Sequence, residues 1–268
     1  MLRDFAIWLF FEDNKPGAMP VGGFFHILYN ILIFGSVIGL GFLFSKKSEK
    51  FKDNVLKIIA YGIAFLYISD FFVHPLMEGD TAKEAFMITD KLPFHICTVM
   101  CPLIILFYQF KQPKFAREAL AFLAMVGSTM YITYPGNAIG SDVSPICYRV
   151  LQTFLYHGLV FAWGYYMIVL KKVKPSIKRC WQPIVGLCCL ACWATFGRLL
   201  YAVGDSTYDW MFLLRASGIF GDPKPYTFLL TLGSISAVIL MLYGIYYIVI
   251  GIMKLIEKSK SKKETATV

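Results

Sequence analysis

Residues 23–44 read GFFHILYNILIFGSVIGLGFLF, without a single Lys, Arg, Asp or Glu. About twenty consecutive, mostly apolar residues suffice to cross the hydrocarbon of a bilayer. Because lipid offers the backbone no hydrogen-bond partners, such a run must be helical. Working outward, the pattern recurs at Val55 to Leu76, Leu92 to Tyr108, Arg117 to Tyr134, Ile146 to Leu170, Trp181 to Leu200 and Tyr226 to Met253. The third run is the shortest. Apolar residues make up 57% of the chain and aromatic ones 17%, which leaves no stretch for a soluble domain. The expected fold is all-α: a polytopic membrane protein built as a seven-helix transmembrane bundle, one transmembrane domain over residues 1–268.

The polar breaks set the expected orientation. Lys46, Lys47, Lys50 and Lys52 separate runs one and two; Lys111, Lys114 and Arg117 separate three and four; Lys171, Lys172, Lys174, Lys178 and Arg179 separate five and six. The alternate breaks carry Glu78, Asp80, Glu84 and Asp90, then Asp142, then Asp205, Asp209 and Asp222. Basic loops stay on the cytoplasmic side, so the N-terminus is expected outside and the C-terminus in the cytoplasm, as for a multi-pass protein of the cell membrane. Residues 254–268 then form a basic cytoplasmic tail. Residues 1–22, with apolar Leu2 to Phe11 followed by Glu12 and Asp13 but no basic leader, read as an interfacial N-terminal segment rather than a signal peptide.

The formal charge of +9 is thus a topology signal. It implies attraction to anionic headgroups at the basic cytoplasmic face, with membrane lipids and not nucleic acid as partners. Of seven cysteines, Cys97, Cys101, Cys188, Cys189 and Cys192 lie inside apolar runs and Cys180 at a cytoplasmic edge; no disulfide framework is indicated. There is no internal repeat and no pair of broken helices in matching halves. Gly35 and Gly39 form a small-xxx-small pair, and Pro102 is expected to kink run three.

Four histidines, His26, His74, His95 and His157, lie in or at the ends of these runs on the expected outer half. An ionisable group there needs a partner or a wet cavity, so a polar pocket opening outward is the expected site. Pro93 suits the first turn of a helix, which puts His95 just inside the interface beside an N-terminal dipole that favours the neutral imidazole. At about 100° per residue, Phe94, His95 and Thr98 share a face and Cys97 points nearly opposite His95. Run five carries Arg149, Thr153 and His157 at intervals of four, one polar stripe flanked by Gln152 and Tyr156. Such a guanidinium can hold a phosphate bidentately at interface depth, with the histidine about 12 Å deeper. The plainer alternative is that Arg149 pairs with Asp70 or snorkels and His157 only bonds a neighbouring helix. Arg198 is an equally placed partner for Asp70. His26 and His74 read as interfacial anchors or, with His95, as zinc ligands, although no zinc spacing is present and no metal or other cofactor is expected.

Several motifs together resemble a known family. Leu92-Pro93-Phe94-His95-Ile96-Cys97, Tyr134-Pro135-Gly136-Asn137, Tyr156-His157-Gly158, Tyr208-Asp209-Trp210-Met211-Phe212-Leu213 and Gly221-Asp222-Pro223-Lys224-Pro225-Tyr226 follow one another in the order seen in the YwaF family of bacterial integral membrane proteins. Its animal relatives are transmembrane acyltransferases that move fatty acyl chains onto phospholipids through an acyl-cysteine. The likeness runs from the second span onward. It implies a lipid acyl site, with one departure: the animal nucleophile is a cysteine directly before the histidine that matches His95, and here Phe94 stands there. Thr98 also matches the animal pattern, and related intramembrane lipid hydrolases use a threonine nucleophile.

The expected mechanism has His95 as base, for Thr98 or directly for an incoming hydroxyl, with His157 as second base or orienter. Cys97 is the alternative nucleophile, and it would use His157. Arg149, Gln152 and Asn137 are the candidate substrate-binding residues. A non-catalytic lipid or small-molecule binder would keep the pocket without the nucleophile; a transporter would also need an inward route.

Overall fold

The computed structural model describes residues 19–77, 92–110, 114–135, 144–201 and 227–265. Among these, seven α-helices and no strand are found: α1 Phe24–Ser45, α2 Glu49–Met77, α3 Ile96–Gln109, α4 Lys114–Thr133, α5 Tyr148–Val169, α6 Trp181–Tyr201 and α7 Thr227–Thr265. One helix forms on each expected run, usually within a few residues of its expected ends. The N-terminal segment, Asn137, the motifs near Tyr208 and Gly221, and the side chain of His74 lie outside the described residues.

Four helical stretches are long and apolar enough by themselves to cross a membrane: Phe24–Ser45, Glu49–Phe72, Ile177–Leu200 and Phe228–Ile256. The helices α4 and α5 fall short of that measure for a physical reason. α5 is the most enclosed element, burying a run from Val150 to Met167 that includes Trp163 and His157, and it packs on α1, α2 and α4. A helix walled by protein does not need apolar residues all round, whereas α1, with His26, Val37 and Gly41 buried and most of its surface open, does.

Close packing relies on small residues. A Cβ at Gly164 of α5 would lie 2.5 Å from the Ala121 carbonyl of α4, so the two backbones touch there. At the end bearing the basic loops, charges tie the bundle together. Lys172 bridges Glu49 at 2.8 Å and Asp53 at 2.6 Å. Burial pulls the Lys172 pKa down, but the hydrogen bonds that its ammonium donates to Asp53 and Glu49 win and leave it above the ordinary lysine value. Glu118, fully buried on α4, accepts from the Ser176 N–H, Arg179 Nε and Tyr243 Oη at 3.0, 2.8 and 2.7 Å. That one carboxylate joins α4, the chain between α5 and α6, and α7. α5 itself ends through Lys171 in the left-handed region, at φ 62°.

At the opposite end, His26 and Asn30 of α1 both reach the Ile132 carbonyl in the last turn of α4, at 2.9 and 3.1 Å. That carbonyl is one of the acceptors that a helix end leaves without an intrahelical donor.

α3 differs from its neighbours. Its 14 residues rise about 21 Å, less than the roughly 30 Å hydrocarbon core, and it continues through Pro102. Backbone outside a helix at membrane depth is tolerated only where protein covers it. Here Trp193 of α6 donates to the Pro93 carbonyl at 2.7 Å, and Phe94 packs on Trp193 with ring centroids 5.2 Å apart.

Candidate functional site

A polar cavity of about 100 Å³ lies where α2, α3 and α5 meet, lined by Tyr67, Asp70, Cys97, Thr98, Gln152, Thr153, Tyr156 and His157. α3 supplies its first turn, α2 its later turns, and α5 two successive turns of the stripe that the four-residue spacing defines.

His157 is 5% exposed and held on two sides. Its Nδ1 lies 2.8 Å from the Thr153 carbonyl, an atom that can only accept, so Nδ1 carries the proton and Nε2 keeps its lone pair. Tyr131 of α4 stacks on the ring, with centroids 3.8 Å apart and planes within 6°. Nε2 is buried and has no hydrogen-bond partner among the described residues. A buried acceptor without a donor costs about 1–3 kcal/mol, and among the described residues of the cavity wall His157 is the one that carries such an atom.

His95 stands elsewhere. It is the N-cap of α3 and forms a capping box with Thr98: the His95 N–H donates to Thr98 Oγ1 at 3.2 Å and the imidazole takes the Thr98 N–H. The Thr98 hydroxyl in turn sends its proton to the backbone, to the carbonyls of Leu92 at 3.1 Å and His95 at 3.2 Å. Thr98 therefore reaches the cavity wall with its hydroxyl engaged as a cap. His95 does not line the cavity but lies within electrostatic range of His157.

Cys97, half-buried and reduced, lines the cavity beside His157. Its carbonyl accepts from Tyr156 Oη at 2.9 Å, which fixes the first turn of α3 against α5. Gln152 spans the cavity edge, donating to the Leu66 carbonyl at 3.3 Å and accepting from Thr153 Oγ1 at 3.2 Å. Arg149 lies one turn before Thr153, within electrostatic range of Tyr131 but not in the cavity wall. Of the four residues expected around one pocket, His95, Thr98, Arg149 and His157, the cavity thus brings together Thr98 and His157.

Phe94, which stands where the resembling family's animal relatives carry the nucleophile, turns to α6. It is 5% exposed, and a Cβ on Gly197 would lie 2.4 Å from its ring. The glycine makes room for the phenyl group. His26 uses both ring nitrogens on the scaffold, Nδ1 accepting from the Gly22 N–H at 2.9 Å and Nε2 donating to Ile132. Among the described residues, no cluster of three or more His, Cys, Asp or Glu is placed to hold a metal ion.

Tyr67 and Tyr131 carry no sequence signal that separates them from other aromatic residues of apolar helices. Only the packing of α2 and α4 against α5 brings them to His157.

A second, larger cavity of about 350 Å³ runs between α1, α2 and α5, with a mainly apolar wall whose Ser36 and Tyr166 hydroxyls donate to the Ile33 and Val37 carbonyls, each at 3.1 Å.

In comparison with known proteins, the model of the TMEM164 family, a family of membrane proteins, matches residues 21–254. Neither a curated protein nor a solved structure matches this chain.

Proposed function

This chain belongs to the TMEM164 family, and from that premise we propose that it modifies membrane lipids by acyl transfer at the cavity between α2, α3 and α5. The observation that carries the reading is the state of His157: Nδ1–H tied to a carbonyl, the ring clamped by Tyr131, and a bare Nε2 in a small polar cavity that also reaches Cys97. A general base requires an oriented imidazole with its lone pair unspent and a nucleophile within its cavity. The resemblance to the YwaF family and its acyltransferase relatives points to the same chemistry.

In this reading His157 Nε2 takes the proton of Cys97 Sγ, and the thiolate attacks the ester carbonyl of a lipid. The ester C–O bond breaks, the acyl group stays on Cys97 as a thioester, and the proton passes from His157 to the departing alkoxide. A second lipid hydroxyl, deprotonated by His157, then attacks the thioester and the thiol is restored. The roles differ from the simplest sequence expectation: His157 replaces His95 as base and Cys97 replaces Thr98 as nucleophile, because His95 and Thr98 cap α3 with the groups that catalysis would need. Arg149 and Gln152, with Asn137, remain the candidates for holding the headgroup. In this reading the cavity faces the outer leaflet and anionic lipids meet the cytoplasmic face of the cell membrane, which the positive-inside pattern of the basic loops supports.

The test is acyl exchange by purified protein in phospholipid vesicles carrying a labelled acyl chain. His157→Ala should lower the rate by about a hundredfold or more. Cys97→Ala should abolish a hydroxylamine-labile acyl adduct. His95→Ala should destabilise α3 by about 1 kcal/mol and leave most of the turnover. Lipid binding without exchange by the unaltered protein would instead make it a non-catalytic binder.

A further inference from the structure

Most of the polar hydrogens on the wall of the cavity between α2, α3 and α5 are already spent. Thr98 sends its hydroxyl proton to the Leu92 and His95 carbonyls, Tyr156 to the Cys97 carbonyl at 2.9 Å and Thr153 to Gln152 Oε1 at 3.2 Å; Nδ1–H of His157 goes to the Thr153 carbonyl. Gln152 is the exception. A carboxamide nitrogen carries two hydrogens. Nε2 gives one to the Leu66 carbonyl of α2 at 3.3 Å, and among the described residues the other meets no acceptor. The amide is not reversible end for end, because a carbonyl oxygen only accepts and so fixes the nitrogen at Leu66. With Oε1 on Thr153 and Nε2 on Leu66, the group is braced at both ends, between α5 and α2. It stands on the same cavity wall as Cys97, and Tyr156, one turn further along α5, ties the Cys97 carbonyl to that helix. An oriented amide with one hydrogen left to give thus shares a small cavity with the thiol and the imidazole.

We infer that Gln152 is the oxyanion donor of this site, its remaining Nε2–H receiving the ester carbonyl oxygen as Cys97 adds to the carbon beside it; the inference rests on the acyl-transfer reading given above. When the thiolate sulfur bonds to that carbon, the second electron pair of the C=O bond moves onto oxygen. When the ester C–O bond breaks, the pair returns and the carbonyl re-forms as the thioester, while the departing alkoxide takes the proton held by His157. The charge on the carbonyl oxygen exists only between these two steps. A donor already fixed in place needs no reorganisation at the moment the charge develops, which is where such hydrogen bonds gain their effect. The part of the lipid that Gln152 holds is then the ester carbonyl and not the headgroup. An amide braced by two helices cannot follow a mobile headgroup, and it lies about 4.5 Å further along α5 than Arg149, on the turn that leads to His157.

The experiment compares two reactions of the purified full-length protein in phosphatidylcholine vesicles carrying a labelled acyl chain: acyl exchange, and alkylation of Cys97 by iodoacetamide followed by mass spectrometry. Alkylation needs the thiolate but forms no oxyanion. Gln152→Met keeps the length of the side chain and loses the amide. It should lower kcat for exchange about a hundredfold or more, with KM within about threefold and alkylation of Cys97 within about twofold of the unaltered protein. Gln152→Glu, which keeps the shape and the acceptor for Thr153, should lose exchange to a similar degree and serves if Gln152→Met does not fold. His157→Ala should slow both reactions. Equal losses of exchange and alkylation in Gln152→Met would make Gln152 a brace for Cys97, and a raised KM with unchanged kcat would make it a ground-state ligand. Either result, or exchange within about threefold of the unaltered rate, overturns the inference, while dependence of exchange on His157 keeps the acyl-transfer reading. Absence of exchange in the unaltered protein overturns both.

Discussion

Tyr131 and His157 lie face to face, centroids 3.8 Å apart and planes within 6°. A ring held flat on one face and tethered at Nδ1 has one direction left for Nε2, and orientation of this kind is where a base gains its effectiveness. Tyr131→Leu removes the flat wall and should lower acyl exchange about tenfold or more, mainly in kcat, with the protein still folded by circular dichroism in detergent. Tyr131→Phe keeps the wall and loses only the hydroxyl, so it should stay within about threefold. Equal losses in the two variants would show that the hydroxyl, not the stack, matters.

Phe94 packs on Trp193 and Gly197, away from the cavity. Phe94→Cys should therefore not create a second acyl-carrying thiol. It should leave a void against α6 and cost about 2–4 kcal/mol of stability, measured by unfolding in mixed detergent. A gain of exchange activity in Phe94→Cys would contradict the orientation of this side chain.

The contact of Gly164 with the Ala121 carbonyl involves backbone, which cannot rotate out of the way. Gly164→Ala should destabilise the α4–α5 pair by about 1–3 kcal/mol. Gly35→Ala, where a Cβ meets nothing within 4 Å, should leave the melting temperature within about a degree.

Removing Arg179 strands a buried carboxylate with two neutral donors. Arg179→Ala should cost about 2–3 kcal/mol, and the double variant Arg179→Ala, Glu118→Gln should recover part of it, because no uncompensated charge remains. The unfolding midpoints of the two variants decide this.

Cysteines placed at Asp142 and Lys174 test the orientation. A membrane-impermeant maleimide added to intact cells should label position 142 and not position 174. The reverse pattern would put the cavity on the cytoplasmic side.

The helices were legible in the sequence because lipid enforces a simple rule, length and apolarity, and α1 obeys it across its whole surface. The enclosed helices were legible for a different reason: the stripe Thr153 and His157 keeps its four-residue period whatever surrounds it. Contacts between helices were not. Nothing in the phase of α3 says that Thr98 and His95 satisfy each other as a cap, since that depends on where the helix starts, and the start shifted from Leu92 to Ile96. Helical phase alone also left open whether Phe94 meets α6 or a cavity; the answer lies in Gly197, a residue a hundred positions away whose missing side chain admits the ring. Tyr131 joins His157 only through the close approach of α4 and α5 that small residues permit.

The bonds from His26 and Asn30 to the Ile132 carbonyl have a consequence for biogenesis. The His26 bond spans 106 residues of chain. At about 5–20 residues per second, the ribosome needs roughly 5–20 s to make the acceptor after the donor has emerged. During that interval α1 is in or at the membrane with an imidazole and a carboxamide that lack their final acceptor, and water at the interface is the alternative partner. Among the described helices α1 is the first synthesised, but it can settle to its final depth only after α4 arrives, so its final seating follows a different order from its translation.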